Sequence, residues 1–262
     1  MKITSWNIRG CNSPLKIRIL KRKIEVEQPW IIFLQETKCS GEDLAKVARK
    51  SWPRCNRMAT DAKGSAGGLG ILWNPQLVSL QNFRCTHFSI SGFFQIVGAH
   101  QRGFLSNVYG LSQSSHKTEF IASLHALKEE SEGLPWVLGG GFNIIRSLEE
   151  KKGGLRRLTQ VNELFNQTIE DLALVDLHTA NGSFTWHNNR AGDRSIACHL
   201  DQFLISEDIM MAGGKLEAVV LPSSGSDHWP ISLDWSIQVK NLRRPFKFEK
   251  FWLMQPGFSD RL

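Results

Sequence analysis

The chain has 262 residues, 41% of them hydrophobic and 22% charged, with 32 Lys and Arg against 25 Asp and Glu for a formal net charge of +7. That length suits one large α/β or sandwich domain and that composition suits a packed globular core. No apolar run approaches the roughly 20 residues a membrane helix needs, and the excess of positive charge favours a polyanionic partner, because neutralising phosphates releases counterions.

In chain order, Met1 to Asn7 puts polar residues where a secretory signal would have its apolar stretch, so no signal is read and a nuclear or cytoplasmic location is expected. The sequons at Asn166 and Asn181 then carry no meaning. Ile3 to Ile8 reads as a strand. Pro14 to Glu27 carries Ile17, Leu20 and Ile24 at helical spacing, with Ser13 as the N-cap and Pro14 at the first helical position. Trp30 to Gln35 is a short buried-strand run stopped by Glu36-Thr37-Lys38, and Gly68 to Trp73 is another, closed by Asn74-Pro75. Strands follow near Leu77 to Phe83, Phe93 to Val97 and Phe104 to Tyr109. A helix over Thr118 to Glu130 puts Phe120, Ile121, Leu124 and Leu127 on one face. Pro135 to Leu138 is a strand, and Leu158 to Leu172 is a helix. Short strands near Ser183 to Trp186, Asp201 to Ile205, Glu217 to Leu221 and Ile231 to Trp235 finish the domain. Many short strands with a few helices predict packed sheets flanked by helices. From Lys240 onward the chain turns basic and aromatic, which reads as a tail or linker, or as a final ordered segment packing on the domain.

The five cysteines, Cys11, Cys39, Cys55, Cys85 and Cys198, are odd in number, scattered and free of Cys-x-x-Cys pairs, so reduced thiols are expected. His187, His199 and His228 have no zinc-finger spacing. Gly64 to Gly70 lacks the Gly-Lys-Ser/Thr ending of a phosphate loop and is explained by a turn before a strand. Lys16 to Lys23 gives a basic helix face, expected to be solvated rather than to hold DNA backbone.

Five polar spots fall at the ends of predicted strands, where a rigid scaffold presents functional groups: Asn7, Glu36, Tyr109, the Gly141-Phe142-Asn143 turn, and Asp227-His228. Singly, each has a plainer explanation. Asn7 ends a strand, Glu36 is a loop charge, Tyr109 packs in the core and Asp227 makes a turn. Together with His199-Leu200-Asp201 they form an ordered set, and on that set the chain resembles the endonuclease/exonuclease/phosphatase family of apurinic/apyrimidinic endonucleases and pancreatic deoxyribonuclease. Within the family it looks most like the endonuclease domain of plant LINE-type non-LTR retrotransposons. The resemblance covers almost the whole chain.

The resemblance implies a DNase-like, four-layer α/β sandwich of two packed, mostly antiparallel sheets flanked by helices. It implies a domain over residues 1–238 and a tail over 239–262 that leads, in such elements, toward a reverse transcriptase. It also implies Mg²⁺, with Mn²⁺ as the alternative, DNA as partner, no membrane, and a monomer. Glu36 would hold the metal with Asn7 and Asp227 beside it. His228 would contact the scissile phosphate and Asp201 would orient it. Tyr109, the only tyrosine in the chain, would donate to the phosphate. Asn143 would help position the attacking water. Trp186 and Trp229 would flank the site, although core packing is the expectation for both. The reaction would be in-line hydrolysis of the P–O3′ bond of DNA.

Two departures bear on activity. Family members carry Gly-Gly-Asp-Phe-Asn where this chain has Gly139-Gly140-Gly141-Phe142-Asn143, so Gly141 marks a lost catalytic acid. The family's Ser-x-Arg-Leu-Asp-Arg is here Cys198-His199-Leu200-Asp201-Gln202, without either arginine. An impaired endonuclease is therefore expected, ahead of a remnant that at most binds DNA and of a small-molecule or lipid phosphatase. Replacement of the lost acid by a neighbour such as Glu149 is the least favoured account.

Overall fold

The run Ile31–Gln35 shows no polar alternation because both of its faces are covered. Ile31 and Phe33 belong to a core between two sheets, whereas Ile32 and Leu34 belong to a second core beneath two helices. The computed structural model from which this follows describes residues 1–236 except 65, 112 and 224. The tail expected over 239–262, and with it the boundary at 238, lies outside the described residues.

In order, the chain forms β1 (Lys2–Asn7), α1 (Pro14–Glu27), β2 (Ile31–Gln35), α2 (Gly41–Ser51), β3 (Asn56–Lys63) and β4 (Ala66–Trp73). It continues through β5 (Val78–Cys85), β6 (Ser89–Ile96), β7 (Arg102–Tyr109), α3 (Lys117–Glu130), β8 (Trp136–Gly141) and β9 (Lys151–Lys152). The last part holds α4 (Gln160–Asp171), β10 (Leu174–Asp176), β11 (Trp186–His187), β12 (Ala197–Cys198), β13 (Asp201–Ser206), α5 (Glu207–Met211), β14 (Lys215–Val220) and β15 (Ile231–Ser236).

Two six-stranded sheets result, β14-β15-β1-β2-β4-β3 and β10-β13-β8-β7-β6-β5. Each is antiparallel but for one pair, β1 with β2 in the first and β7 with β8 in the second. Ile3, Phe33 and Ile71 meet Phe94, Leu105 and Phe203 in the core between the sheets. Leu20 and Ile24 of α1 and Leu44 and Val47 of α2 cover the outer face of the first sheet. Phe120 and Leu124 of α3 and Phe165 and Ile169 of α4 cover the second. The expected four-layer sandwich is therefore present, with the parallel pairs making each sheet mixed. No helix among the described residues is long and apolar enough to cross a membrane.

Helix α1 has the expected bounds, and the Ser13 side chain accepts from the Lys16 amide as its cap. Two expectations are corrected, and one unit goes beyond them. The strand expected from Phe93 begins at Ser89, because Ser89 and Ser91 are buried polar residues inside the sheet and mask its pattern. The strand expected over Ser183 to Trp186 shrinks to Trp186–His187. The α2–β3 unit was not anticipated, since α2 is short and β3 is a largely polar edge strand.

Candidate active site

The two parallel pairs decide where the site lies. Because β1 and β2 run together, Asn7 and Glu36 emerge side by side at their carboxyl ends. In the facing sheet β7 and β8 bring Tyr109 level with Gly141, and antiparallel β13 sets its first residue, Asp201, opposite Gly141. The loop before β15 supplies Asp227 and His228. Ser226 ties that loop to β1 by donating from its hydroxyl to the Asn7 carbonyl at 2.8 Å.

All the strand-end residues singled out in the sequence converge here. Tyr109 donates from its hydroxyl to Glu36 Oε1 at 2.7 Å, and Asn7 donates from Nδ2 to the same oxygen at 3.0 Å. Asn7 Nδ2 also faces His228 Nε2 at 3.4 Å. His228 is 2% exposed and its Nδ1 lies 2.8 Å from Asp201 Oδ2. The Asn143 side chain donates to the Gly110 carbonyl and lines the cavity. Tyr109 is thus held on Glu36 and not left free, and Asn7 positions Glu36 and His228.

Several further residues complete the arrangement. Thr185 Oγ1 donates to Asp201 Oδ2 at 2.7 Å and accepts from the Leu200 and Asp201 amides, so it anchors the carboxylate that anchors His228. Trp186 donates from Nε1 to Asp227 Oδ2 at 2.9 Å. Trp229 is 41% exposed and packs against His187. Core packing, expected for both tryptophans, is therefore corrected: one orients a site carboxylate and the other is at the surface. Arg9 and Lys38 stand over the carboxylates. Arg9 Nε lies 3.0 Å from Asp227 Oδ1 and 3.7 Å from Glu36 Oε1, and Lys38 Nζ lies 3.6 Å from Glu36 Oε2. Arg9, a cation two residues after Asn7, is a signal visible in the sequence that strand-end reasoning does not reach.

The electrostatics follow from these contacts. Burial alone would push the Glu36 carboxyl up, but the bonds from Asn7 and Tyr109 and the charges of Arg9 and Lys38 outweigh it and hold Glu36 below its ordinary value. Burial likewise disfavours a charged His228, yet the Asp201 charge and hydrogen bond prevail and raise its pKa. Burial pushes the Tyr109 phenol up, with the Glu36 charge adding to it, so the hydroxyl remains a donor. Arg9, Glu36, Lys38 and Asn143 all have left-handed backbone, at φ of 51°, 48°, 52° and 55°. Such conformations are costly for residues other than glycine and cluster at sites where the surroundings over-determine them.

On the basic face of α1, Arg18, Lys21 and Arg22 are exposed as expected, but Lys16 and Lys23 are not. Lys16 donates to the Ile8 carbonyl and Lys23 to the Pro222 carbonyl, and both ammonium groups lie over the Trp6 ring, at 5.6 and 5.9 Å from its centroid. They brace the segment that follows Asn7 and the loop that carries Asp227. The glycine pair at the start of β4 is a packing device. The Gly67 and Gly68 carbonyls accept from the Lys38 and Thr37 amides, and a β-carbon on Gly68 would lie 2.4 Å from Thr37 Oγ1. Glu149 is exposed and takes no part in the site.

The three glycines of β8 are not equivalent. A β-carbon on Gly140 would lie 1.9 Å from the Val108 carbonyl oxygen, and one on Gly139 would lie 2.5 Å from the Phe203 ring. A β-carbon on Gly141 would meet only Asp201 Oδ1 at 3.2 Å and Tyr109 Cδ2 at 3.7 Å. Position 141 therefore has space for a side chain aimed at the site.

A cavity of about 590 Å³ opens here, lined by Arg9, Glu36, Lys38, Lys63, His87 and Asn143 among others. The carboxylates fit Mg²⁺, which takes one or two of them and keeps its remaining positions for water and substrate oxygens. Glu36 and Asp227 are such hard donors at the cleft, and among the described residues no cluster of three or more His, Cys, Asp or Glu would enclose a metal by itself. The donor set suits an open site.

Known proteins share the fold and the family of this chain. The chain is 25% identical over 264 residues to Recombination repair protein 1 of Drosophila melanogaster, a match covering 90% of this chain and 37% of that protein. The fold matches a 3'-5' exonuclease (NExo) from Neisseria meningitidis with a TM-score of 0.73 at 19% identity, over 90% of this chain and all of the other. It also matches the endonuclease domain of TRAS1, a telomere-specific non-LTR retrotransposon, with a TM-score of 0.68 at 13% identity, over 90% and 99% of the two chains. The model of the Endonuclease/Exonuclease/phosphatase family matches residues 4–228, from the middle of β1 through His228, and the chain belongs to that family.

Proposed function

We propose that this chain is a Mg²⁺-dependent endonuclease-type phosphodiesterase domain for DNA, descended from a plant LINE-type retrotransposon, in which the hydrolytic step is impaired at Gly141. The observation that carries the reading is the convergence of Glu36, Asp227 and the Asp201–His228 pair at one end of the sandwich, with position 141 aimed at Asp201 and holding no side chain. In this reading residues 1–238 form the nuclease domain, and residues 239–262 lead toward a reverse transcriptase.

Each group has a role that its contacts support. Asp201 holds the Nδ1 proton of His228 and favours the imidazolium, so Nε2 can meet negative charge growing on a phosphoryl oxygen. Asn7 and Tyr109 hold Glu36 ionised, and Trp186 holds Asp227. Glu36 and Asp227 would hold Mg²⁺, which would supply Lewis-acid polarisation of the phosphate. Asn143 orients the attacking water, but Gly141 offers no atom to take its proton. Loss of a general base costs roughly 10²- to 10⁴-fold in rate. Arg9, Lys38 and Lys63 extend a cationic wall along the cavity, which suits a polymer backbone better than a small phosphate ester.

The test is nicking of supercoiled plasmid in Mg²⁺ by the parent, Gly141→Asp and His228→Ala. Little nicking by the parent and a clear gain in Gly141→Asp are expected. Robust parental nicking that His228→Ala abolishes would overturn the impairment. No nicking by Gly141→Asp would favour a remnant that only binds DNA.

A further inference from the structure

The two carboxylates that face the proposed metal position are not free of positive charge. Arg9 contacts both: its Nε is 3.0 Å from Asp227 Oδ1 and 3.7 Å from Glu36 Oε1. It lines the cavity that holds Glu36 and also the adjoining one that holds Asp227, so it stands between the two. Its backbone is left-handed, and its amide donates to Asn7 Oδ1 at 3.3 Å, the only side-chain oxygen of Asn7. One residue thus engages three oxygen-bearing groups of the site. Its side chain is 41% exposed, so it has room to leave.

We propose that Arg9 is a resident counter-cation that competes with the divalent metal for Glu36 and Asp227. Carboxylates gathered at one point repel each other and need a cation to stay ionised together. A guanidinium, always charged and well matched to carboxylate oxygens, supplies it without a metal. A divalent ion entering between the same oxygens must displace Arg9 or sit beside it against repulsion, and either weakens metal binding. The inference rests on the reading of Glu36 and Asp227 as the metal-facing pair.

The test is Mn²⁺ binding to metal-stripped protein, followed by the spin-resonance signal of free Mn²⁺ and by calorimetry, with no substrate and no turnover. Arg9→Gln is expected to bind Mn²⁺ at least tenfold more tightly than the parent, and Arg9→Lys, which keeps the charge, to stay near the parent. Arg9→Gly, which accepts the left-handed backbone without strain, should reproduce the gain if glutamine disturbs the loop. A purely structural role for Arg9 would lower affinity or leave it unchanged. Parental affinity in both Arg9→Gln and Arg9→Gly overturns the proposal. Adding Glu36→Gln separates the two readings. If it weakens Mn²⁺ binding in the parent while Arg9→Gln brings no gain, the metal position stands and the competition falls. If it changes nothing in either background, the metal position itself is wrong.

Discussion

Gly141 lies directly opposite Asp201 in the antiparallel β8–β13 pair, and a β-carbon added to it would stand 3.2 Å from Asp201 Oδ1. That oxygen is buried and has no hydrogen-bond partner among the described residues. The space beside Gly141 and this carboxylate oxygen are therefore the same place. An acid placed at 141 would share this space with Asp201, and two carboxyls so close disfavour one another's charge.

The glycine run sorts by what each position would strike. Gly140→Ala should be the most damaging because its β-carbon meets backbone oxygen, and Gly139→Ala should cost about 1–3 kcal/mol against the Phe203 ring, as overpacking does. Gly141→Ala should stay within about 1 kcal/mol of the parent, since reduced freedom of the unfolded chain offsets a tight contact. Urea denaturation measures all three. Equal losses would mean that Gly141 is kept for packing and not vacated.

Thr185 gives Asp201 two of its anchors, a hydroxyl to Oδ2 and an acceptor for its amide. Thr185→Val keeps the shape and removes both. A loss of about 1–3 kcal/mol is expected, as for buried polar groups left unpaired. In a double-mutant cycle with Asp201→Asn the losses should be non-additive by about 0.5 kcal/mol or more. Additive losses would show that Thr185 does not act through Asp201.

Lys16 and Lys63 should behave oppositely toward DNA. Lys16 is committed to the Ile8 carbonyl and the Trp6 ring, whereas Lys63 is exposed on the cavity wall. Lys63→Gln should lower the salt-dependence slope of DNA binding by about 1, as loss of one phosphate contact does, and Lys16→Met should leave the slope unchanged. Binding titrations over a range of salt read this directly, and a fall in slope for Lys16→Met would place that ammonium on DNA.

Glu150 confers a pH dependence remote from the carboxylate pair. Burial outweighs the bond it accepts from the Arg146 amide and pushes its pKa from 4.5 to about 7. Between those values the folded chain holds the proton more firmly than the unfolded one. The stabilising contribution is complete below the unfolded value and is lost as pH rises through about 7. Glu150→Gln, which keeps an acceptor for Arg146, should therefore gain on the parent as pH rises from about 5 to about 8, by up to about 3 kcal/mol at 1.36 kcal/mol per unit. Thermal melts across that range check it, and parallel curves would show Glu150 charged throughout.

The strand ends were legible in sequence because a catalytic scaffold must break an apolar run with polar residues where it meets solvent. Asn7, Glu36, Tyr109, Asp201 and His228 all sit at such breaks and all meet in the fold. Thr185 was not legible. It lies in an irregular segment, and its value comes only from an oxygen 16 residues away in sequence. Lys16 and Lys23 were misjudged for the same reason, since helical spacing shows which residues share a face but not that Trp6 waits beneath it. Arg9 was legible as a charge, but its partners Glu36 and Asp227 are joined to it only by folding.

By itself the sequence determined the layered α/β architecture, the approximate place of most elements, the family likeness and the absence of a side chain at 141. These depend on local periodicity and on residue identity, which are carried along the chain. Only the tertiary structure decided that Gly139 and Gly140 are required by close packing while Gly141 is not, and that Arg9 bridges two carboxylates. Those are distances between residues far apart in sequence, set by the parallel pairing of β1 with β2 and of β7 with β8.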